Sequence, residues 1–412
     1  MIHADITIAG GSYAGLALAA SLAEQSGGDL RVCVVSPDFP RLGQPPTDLR
    51  ASALSRSSLR LLTHLGVWPA LEPKCQPVTS IVLTDTDLDD AIRAPRLTYD
   101  LQTDDGNSGT GHILPRMVIV ENHFLGVALL EAAASAPGVT MRRGNRITAF
   151  NAGPDHTQVT LENSEVFTTR LLVAADGGRS KLRDLAGIHT IGHPYEQTGM
   201  ITIVETQHAH LGRAVQHFLP AGPFALLPMT QNRTCVTWTE TATEARRILA
   251  LDPPAFRLEV EKRFGHRLGA LLTISPPRSW PLTLALARSL IAPRFALVGD
   301  AAHTVHPIAG QGLNLGFRDI AALAEVIVDT ARLGLDFGQA STLERYERWR
   351  RFDNVASAAG FDALNSIFAT KSTIARSARG AVLSLADSLP GLKSWLIDEA
   401  SGEGGAPPRL MR

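Results

Sequence analysis

Three short glycine-containing runs in this chain have residue types and spacings suited to binding a phosphorylated cofactor. Gly10-Gly11-Ser12-Tyr13-Ala14-Gly15 lies between an apolar strand pattern, Asp5 to Ala9, and an alanine-rich helical pattern, Leu16 to Glu24. In such a turn the first glycine makes the tight bend. The last lets the helix pack on the strand, so that free helix amides face a pyrophosphate. Position 12, where glycine usually permits the closest phosphate approach, is Ser12; its Cβ takes room, and its hydroxyl offers a donor. The acid expected at the end of the second strand, for a ribose hydroxyl, is missing. Ser36, 21 positions after Gly15, holds that place, and Asp38 follows two residues on.

Asp176-Gly177-Gly178-Arg179-Ser180-Lys181-Leu182-Arg183 follows the apolar run LLVAA. A carboxylate at a strand end followed by two glycines suits backbone lying against a cofactor, and equally a turn capped by the aspartate. Gly299-Asp300-Ala301-Ala302-His303 follows the strand pattern FALV and leads into HPIAGQGLNLGFRD, 306–319. Asp300 at a strand end can bind the hydroxyls of a sugar-like chain. Gly310-Gln311-Gly312 opens a helix near Leu313, so backbone amides and a positive helix end converge on one point. Such a point stabilises negative charge developing on the N1–C2=O edge of a reduced flavin. His303 and His306 have the spacing of a metal pair, but no third ligand accompanies them and a metal is not expected.

The elements that must position these runs follow from composition and periodicity. The chain has 412 residues, 44% apolar and 19% charged, with a formal net charge of -1. That is enough for two packed domains or one large one with an insertion, and it favours neither nucleic acid nor anionic membrane. Cys33, Cys75 and Cys235 are odd in number and lack CxxC spacing, which suits reduced thiols; Cys33 reads as a small core residue. The N-terminal MIHADITIAGG has neither the basic nor the apolar part of a signal peptide, and no apolar run reaches membrane-spanning length. The expectation is a cytoplasmic protein, with peripheral membrane contact left open.

The order strand, turn, helix, strand (RVCVV, 31–35) predicts a βαβ unit. Residues 53–71 read as helix closed near Gly66, 84–112 as surface hairpins and loops, 122–135 as helix, and 139–173 as strands. Alternating segments between 198 and 240 predict a mostly antiparallel sheet. Residues 254–272 read as helix, 295–298 as a return to the first fold, and the chain from 313 as helical with a flexible tail, GEGGAPPR. The fold class is thus α/β: a Rossmann-like FAD-binding fold with an inserted, mostly antiparallel β-sheet substrate domain and C-terminal helices. The expected domains are 1–75, 110–190 and 282–335 for the cofactor, 76–109 and 191–281 for the substrate, and 336–412 as a C-terminal helical region.

With these motifs in hand, the chain resembles the class A FAD-dependent aromatic monooxygenases, and among them the ubiquinone-biosynthesis hydroxylases. HPIAGQGLNLGFRD, DLRASALS (48–55), VENHFL (120–125), FLPAGPFALLP (218–228) and LPGLKSWLIDEASG (389–402) carry the likeness over nearly the whole chain. The resemblance implies non-covalent FAD, with Gly10, Gly11 and Gly15 flanking its pyrophosphate. It implies Arg50 on the ribose and phosphate side, Asp300 on the ribityl chain, and Pro307 with the backbone from Gly310 through Gln311, Gly312 and Leu313 to Asn314 on the isoalloxazine. Asp176-Gly177 and Gly299 belong to motifs tied to FAD, the former also to nicotinamide. Ser12, Ser36 and His123 (where arginine is usual) depart from the family pattern, all on the adenosine half.

The resemblance further implies a cycle in which reduced flavin adds O2 and the C4a-hydroperoxide passes oxygen to a phenol ring. The substrate would be a hydrophobic polyprenylated phenol, lying on a floor formed by AVQHFLPAGPFALLP. His217 is the candidate base, set against a plain core or surface histidine. A single dinucleotide fingerprint leaves either NAD(P)H or a separate reductase as electron donor. The apolar segment Ala381 to Ile397, with Trp395 and Lys393, suits peripheral contact with the inner membrane or with quinone-biosynthesis proteins. Three rivals stand beside this reading: a weakly catalytic or non-catalytic scaffold subunit of a quinone-synthesis complex, a monooxygenase acting on another small aromatic compound, and an NAD(P)-dependent dehydrogenase using Ser36 and Arg41. The last leaves the second and third motifs unexplained.

Overall fold

The computed structural model describes residues 4–41, 50–85, 88, 93–101, 114–307, 310–369 and 401–412. Its helices are α1 Tyr13–Ser26, α2 Arg56–His64, α3 Trp68–Leu71, α4 Asn122–Ser135, α5 Lys181–Leu185, α6 Ala242–Leu249, α7 Pro253–Phe264, α8 Gly312–Arg332 and α9 Ala340–Ala369.

Residues with near-continuous apolar character form a mainly parallel sheet. Its order is Ile291–Ala292, Phe295–Leu297, Val166–Ala174, Ala4–Ala9, Val32–Ser36, Val139–Arg143. Ala4–Ala9 runs parallel to both neighbours, with Ile8 opposite Val173 and Val34. Ile6 and Ile8 have no exposed surface, as expected for strands covered on both faces. The alternating segments form a second sheet, in the order His303–Thr304, Arg278–Ala287, Thr190–Thr206, Arg233–Thr241, Gly222–Pro228, Arg213–Leu219, Ser80–Asp85, Leu97–Asp100. It is antiparallel except where Arg213–Leu219 runs parallel to Ser80–Asp85. A small third sheet joins Ala51–Ser55, Met117–Glu121 and Cys75–Pro77.

Four expectations need correction. Residues 53–55, at the start of the expected helix 53–71, belong instead to the strand Ala51–Ser55, and helix starts only at Arg56, where Ser55 caps Ser58 N. Leu271–Ile274 is a strand, because Gly265 ends α7 and the apolar residues beyond it pair with Thr190–Thr206. The boundary at 282 falls inside the strand Arg278–Ala287 of the second sheet. The tail is docked, not free: Met411 is fully buried, Arg409 N donates to Glu325 Oε2 at 2.7 Å, and Glu403 takes Arg60 Nη2 at 3.0 Å. The segment 381–397 lies outside the described residues.

The chain crosses between the two large sheets at the third motif. Phe295–Leu297 ends in the first sheet, Gly299–Ala301 makes one tight turn, and His303–Thr304 already pairs with Arg278–Ala287 of the second. The junction of the sheets is therefore built from the glycine- and aspartate-bearing runs.

Candidate active site

Each glycine of the first turn sits where a side chain has no room. A Cβ on Gly10 would lie 2.2 Å from Ala175 O, and one on Gly15 would lie 1.9 Å from Gly10 O. Gly10 also has φ +125°, a conformation that favours glycine. This contact seats the first turn directly on the residue before Asp176, so the first two motifs touch. A Cβ on Gly178 would likewise lie 2.7 Å from Thr304 Oγ1. Arg183 joins the second motif to the third: its Nη1 donates to Gly178 O and Ala301 O, both at 3.2 Å. Gly299 packs on Ala14, and Gly316 of α8 on Gly299.

The helices opened by the first and third motifs have no side-chain cap at their N-termini, a feature they share with α3 and α4. Side-chain oxygens of Ser55, Ser180, Thr241 and Asp252 cap α2, α5, α6 and α7. Ser12 and Gln311, at the heads of α1 and α8, supply no such cap, and neither first turn holds an acid. Two packed helices thus present amides and positive dipole ends without a counter-charge. Anionic groups of a dinucleotide fit both ends. Ser12 is exposed with ordinary extended backbone, so its hydroxyl is open rather than strained.

The predicted cofactor residues lie together around this junction. Asn122 N donates to Arg50 O at 2.9 Å, which places His123 beside Arg50; His123 is half-buried and edge-on to Phe124. Asp300 is open to solvent but crowded by protein. Burial raises its carboxyl above the usual range, against the opposing pull of His303 and Arg50. Asp176 is exposed beside Gly177 (φ +87°), and its Oδ2 lies 3.5 Å from Leu182 N. Ser36 ends its strand as expected, and its Oγ donates to Asp38 O at 2.5 Å. Asp38 turns its own carboxylate back to Phe39 N at 3.0 Å. Asn314 uses its side chain internally: Oδ1 takes Ser55 N (3.0 Å) and Ser58 Oγ (2.8 Å), and Nδ2 donates to Ala53 O (2.8 Å). These bonds tie the start of α8 to the strand Ala51–Ser55 and to α2. Gly310 has φ +63° and Gly310 N donates to Pro307 O at 3.2 Å.

Sequence reasoning missed the carboxylate that holds the third motif in place. Asp319, fully buried on α8, lies 2.5 Å from His303 Nε2 through Oδ2, which also takes Gly299 N at 3.2 Å. Its Oδ1 takes Arg350 Nε (2.9 Å) and Asn354 Nδ2 (3.3 Å) from α9. Burial pushes the Asp319 carboxyl up, but His303 and Arg350 outweigh it and hold it below the ordinary range. Asp319 closes the run HPIAGQGLNLGFRD, so its place was visible; Arg350 carries no local signal. The two histidines of the third motif, His303 and His306, diverge. His303 faces Asp319, while His306 packs edge-on to Tyr195 at 5.2 Å.

Only half of the expected floor faces the junction. Ile203, Cys235 and Leu227 are cross-strand neighbours, and with Ala214 they form the inner apolar face. Alternation puts Gln216, Phe218, Pro223 and Ala225 on that face. Val215, Leu219, Phe224 and Leu226 pack instead on α6 and α7. His217 belongs to this outer face: it pairs with Phe224, and its Nδ1 lies 2.7 Å from Thr84 Oγ1. Burial, then Arg93, lowers its imidazole to about 3. As a base it is on the wrong side of the sheet.

A model of the FAD binding domain family matches residues 3–356. The chain is 38% identical to the ubiquinone hydroxylase UbiL of Rhodospirillum rubrum, over 99% of this chain and 92% of that one. It is 31% identical to 3-demethoxyubiquinol 3-hydroxylase of Escherichia coli, over 97% and 98%. The chain belongs to the FAD-dependent aromatic monooxygenases of the ubiquinone-hydroxylase type. Among solved structures, p-nitrophenol 4-monooxygenase PnpA of Pseudomonas putida shares its fold, with a TM-score of 0.79 at 17% identity over 98% of this chain and 99% of that one. PqsL of Pseudomonas aeruginosa does so with a TM-score of 0.72 at 21% identity, over 92% and 99%. FAD is the cofactor of this monooxygenase, and O2 and NAD(P)H are typical of its class. Among the described residues, no helix is long and apolar enough to cross a membrane.

Proposed function

We propose that this monooxygenase hydroxylates the aromatic ring of a polyprenylated phenol in ubiquinone biosynthesis. The observation that carries the reading is the position of residues 299–304, which turn from the dinucleotide sheet into the edge of a second sheet with an apolar inner face. Relatives at 38% and 31% identity, named as ubiquinone-pathway hydroxylases, support the same substrate class.

The residues fit FAD. Gly10, Gly11, Ser12 and Gly15 with the head of α1 would hold the pyrophosphate, and Arg50 and Asp300 the ribose and ribityl side. The backbone of Gly310 to Leu313, with Pro307, would hold the ring system. Bound there, FAD supplies the activation of O2 and the transfer of one oxygen atom to an electron-rich ring. The protein's part is positional and electrostatic. The uncapped head of α8 stabilises negative charge at the ring edge. Ile203, Leu227, Ala225 and Phe218 exclude water from the face where an aromatic ring would lie. Asp319 keeps the turn at Gly299 from shifting when a substrate enters.

Incubating FAD-loaded protein with a reductant, a short-chain prenylated phenol and isotopically labelled O2 tests the reading. One labelled oxygen atom in the recovered phenol is expected. Reductant consumption with unaltered phenol would refute it. A polyprenyl substrate resides in a bilayer, so we also propose that the protein works at a membrane surface. Replacing Val382, Leu383, Trp395 and Leu396 by serine in the full-length chain should leave FAD bound yet abolish liposome binding; loss of flavin would instead make that segment part of the fold.

A further inference from the structure

His306 is fully buried, and neither ring nitrogen has a hydrogen-bond partner. An imidazole always carries at least one N–H and, when neutral, one acceptor nitrogen, and leaving such groups unpaired in a protein interior is costly. Burial is also what lowers the ring to about 4, with Asp362 pulling weakly the other way, so it is neutral near neutral pH. A fold that retains this cost at a functional junction is set up for a partner that arrives later.

The surroundings indicate which partner. His306 directly precedes Pro307 and the Gly310 turn, and follows the edge strand His303–Thr304 of the second sheet. Its ring lies edge-on to Tyr195 of Thr190–Thr206, a strand of that same sheet. Tyr195 is itself held, its hydroxyl donating to Asp362 Oδ1 on α9 at 2.7 Å, so it cannot turn to serve His306. His193 Nε2, 3.7 Å from the same Asp362 oxygen, completes the titratable groups around the cluster. The histidine is therefore the member of this polar cluster whose ring nitrogens are left unpaired, and it adjoins the cofactor turn. A neutral imidazole there can accept one hydrogen bond and donate another, which matches a phenol hydroxyl.

We infer that His306 is the hydrogen-bond partner of the substrate's phenol hydroxyl, fixing which ring carbon faces the flavin; this rests on the ring-hydroxylation reading above. The ring has almost no solvent contact, so the phenol reaches it only with a local rearrangement of the protein around it. A hydrogen bond accepted from the phenol hydroxyl also leaves more electron density on the ring that is to be oxidised.

The test uses FAD-loaded enzyme titrated with 2-prenylphenol and with its O-methyl ether, followed by the change in flavin absorbance. Wild type should prefer the phenol by about tenfold, the scale of one neutral hydrogen bond. His306→Leu should keep FAD and bind both compounds within about twofold of each other, and His306→Gln should recover part of the preference. His306→Leu should also unfold no earlier than wild type, since it removes only unpaired nitrogens. If His306→Leu retains the tenfold preference, or is clearly destabilised, the assignment is overturned while ring hydroxylation stands. If FAD-loaded wild type binds neither compound, the substrate class fails and this inference fails with it. Should His306→Leu not fold, His306→Met is read by the same ratio.

Discussion

Replacing Asp319 tests whether a buried carboxylate, distant in sequence from the cofactor glycines, holds the flavin turn. In Asp319→Ala, Arg350 keeps Asp353 and Asn354 as partners but loses the carboxylate at 2.9 Å. His303 Nε2 loses the one contact shown for it, and Gly299 N loses its acceptor. Removing one member of a buried pair typically costs ~3–5 kcal/mol, because the remaining charge is stranded. Against a total stability of ~5–15 kcal/mol, that is a large loss. Urea unfolding with FAD titration measures both consequences: an earlier midpoint and weaker FAD binding through the loosened Gly299–Asp300 turn. Asp319→Asn keeps an acceptor and the shape, so it should fall between. Arg350→Met alone should also destabilise, while Asp319→Ala with Arg350→Met should cost ~0.5–3 kcal/mol less than the sum, since no buried charge is then left alone. Asp319→Ala within ~0.5 kcal/mol of wild type, a margin typical of neutral surface changes, would refute the reasoning. Strictly additive losses would refute the coupling.

Asp300→Ala should weaken FAD binding by ~1.5–3 kcal/mol, the scale of a hydrogen bond to a charged group. Ser36→Ala should change it little, because Ser36 Oγ is committed to Asp38 O; equal losses in a titration would contradict this division. Met411→Ala should lower the unfolding midpoint by ~2–5 kcal/mol of stability, as for a core methionine, and an unchanged urea curve would mean the tail does not dock. His217 is lowered from 6.5 to about 3 in the fold, so the unfolded chain binds its proton first as pH falls. The stability it supports is complete above pH 6.5 and declines toward pH 3, at up to ~1.4 kcal/mol per pH unit. His217→Leu should flatten that slope and leave hydroxylation intact; loss of activity would put His217 back in the site. Ser36→Glu should tighten FAD binding if the strand end faces a ribose, and weaker binding would place the ribose elsewhere.

The local runs determined a good deal on their own. A turn like Gly10 to Gly15 needs glycines because the chain folds back on its own carbonyls, and that constraint is written in consecutive residues. Strand runs such as Asp5 to Ala9 and the alternation from 198 to 240 carry their period in the sequence, so both sheets and the helix 122–135 were legible there. Contacts between distant segments were not. Asp319 with Arg350, Arg183 across two motifs, and Asn314 on Ser55 and Ser58 join residues 31, 118 and 259 positions apart, and no local pattern encodes them. Residues 51–55 have helix-compatible composition, yet pairing with Met117–Glu121 makes them strand, because packing outweighs weak propensity. The face taken by His217 was likewise settled only in three dimensions. Alternation says that it opposes Gln216, but only the packing of α6 and α7 on Phe224 and Val215 decides which of the two looks toward the flavin.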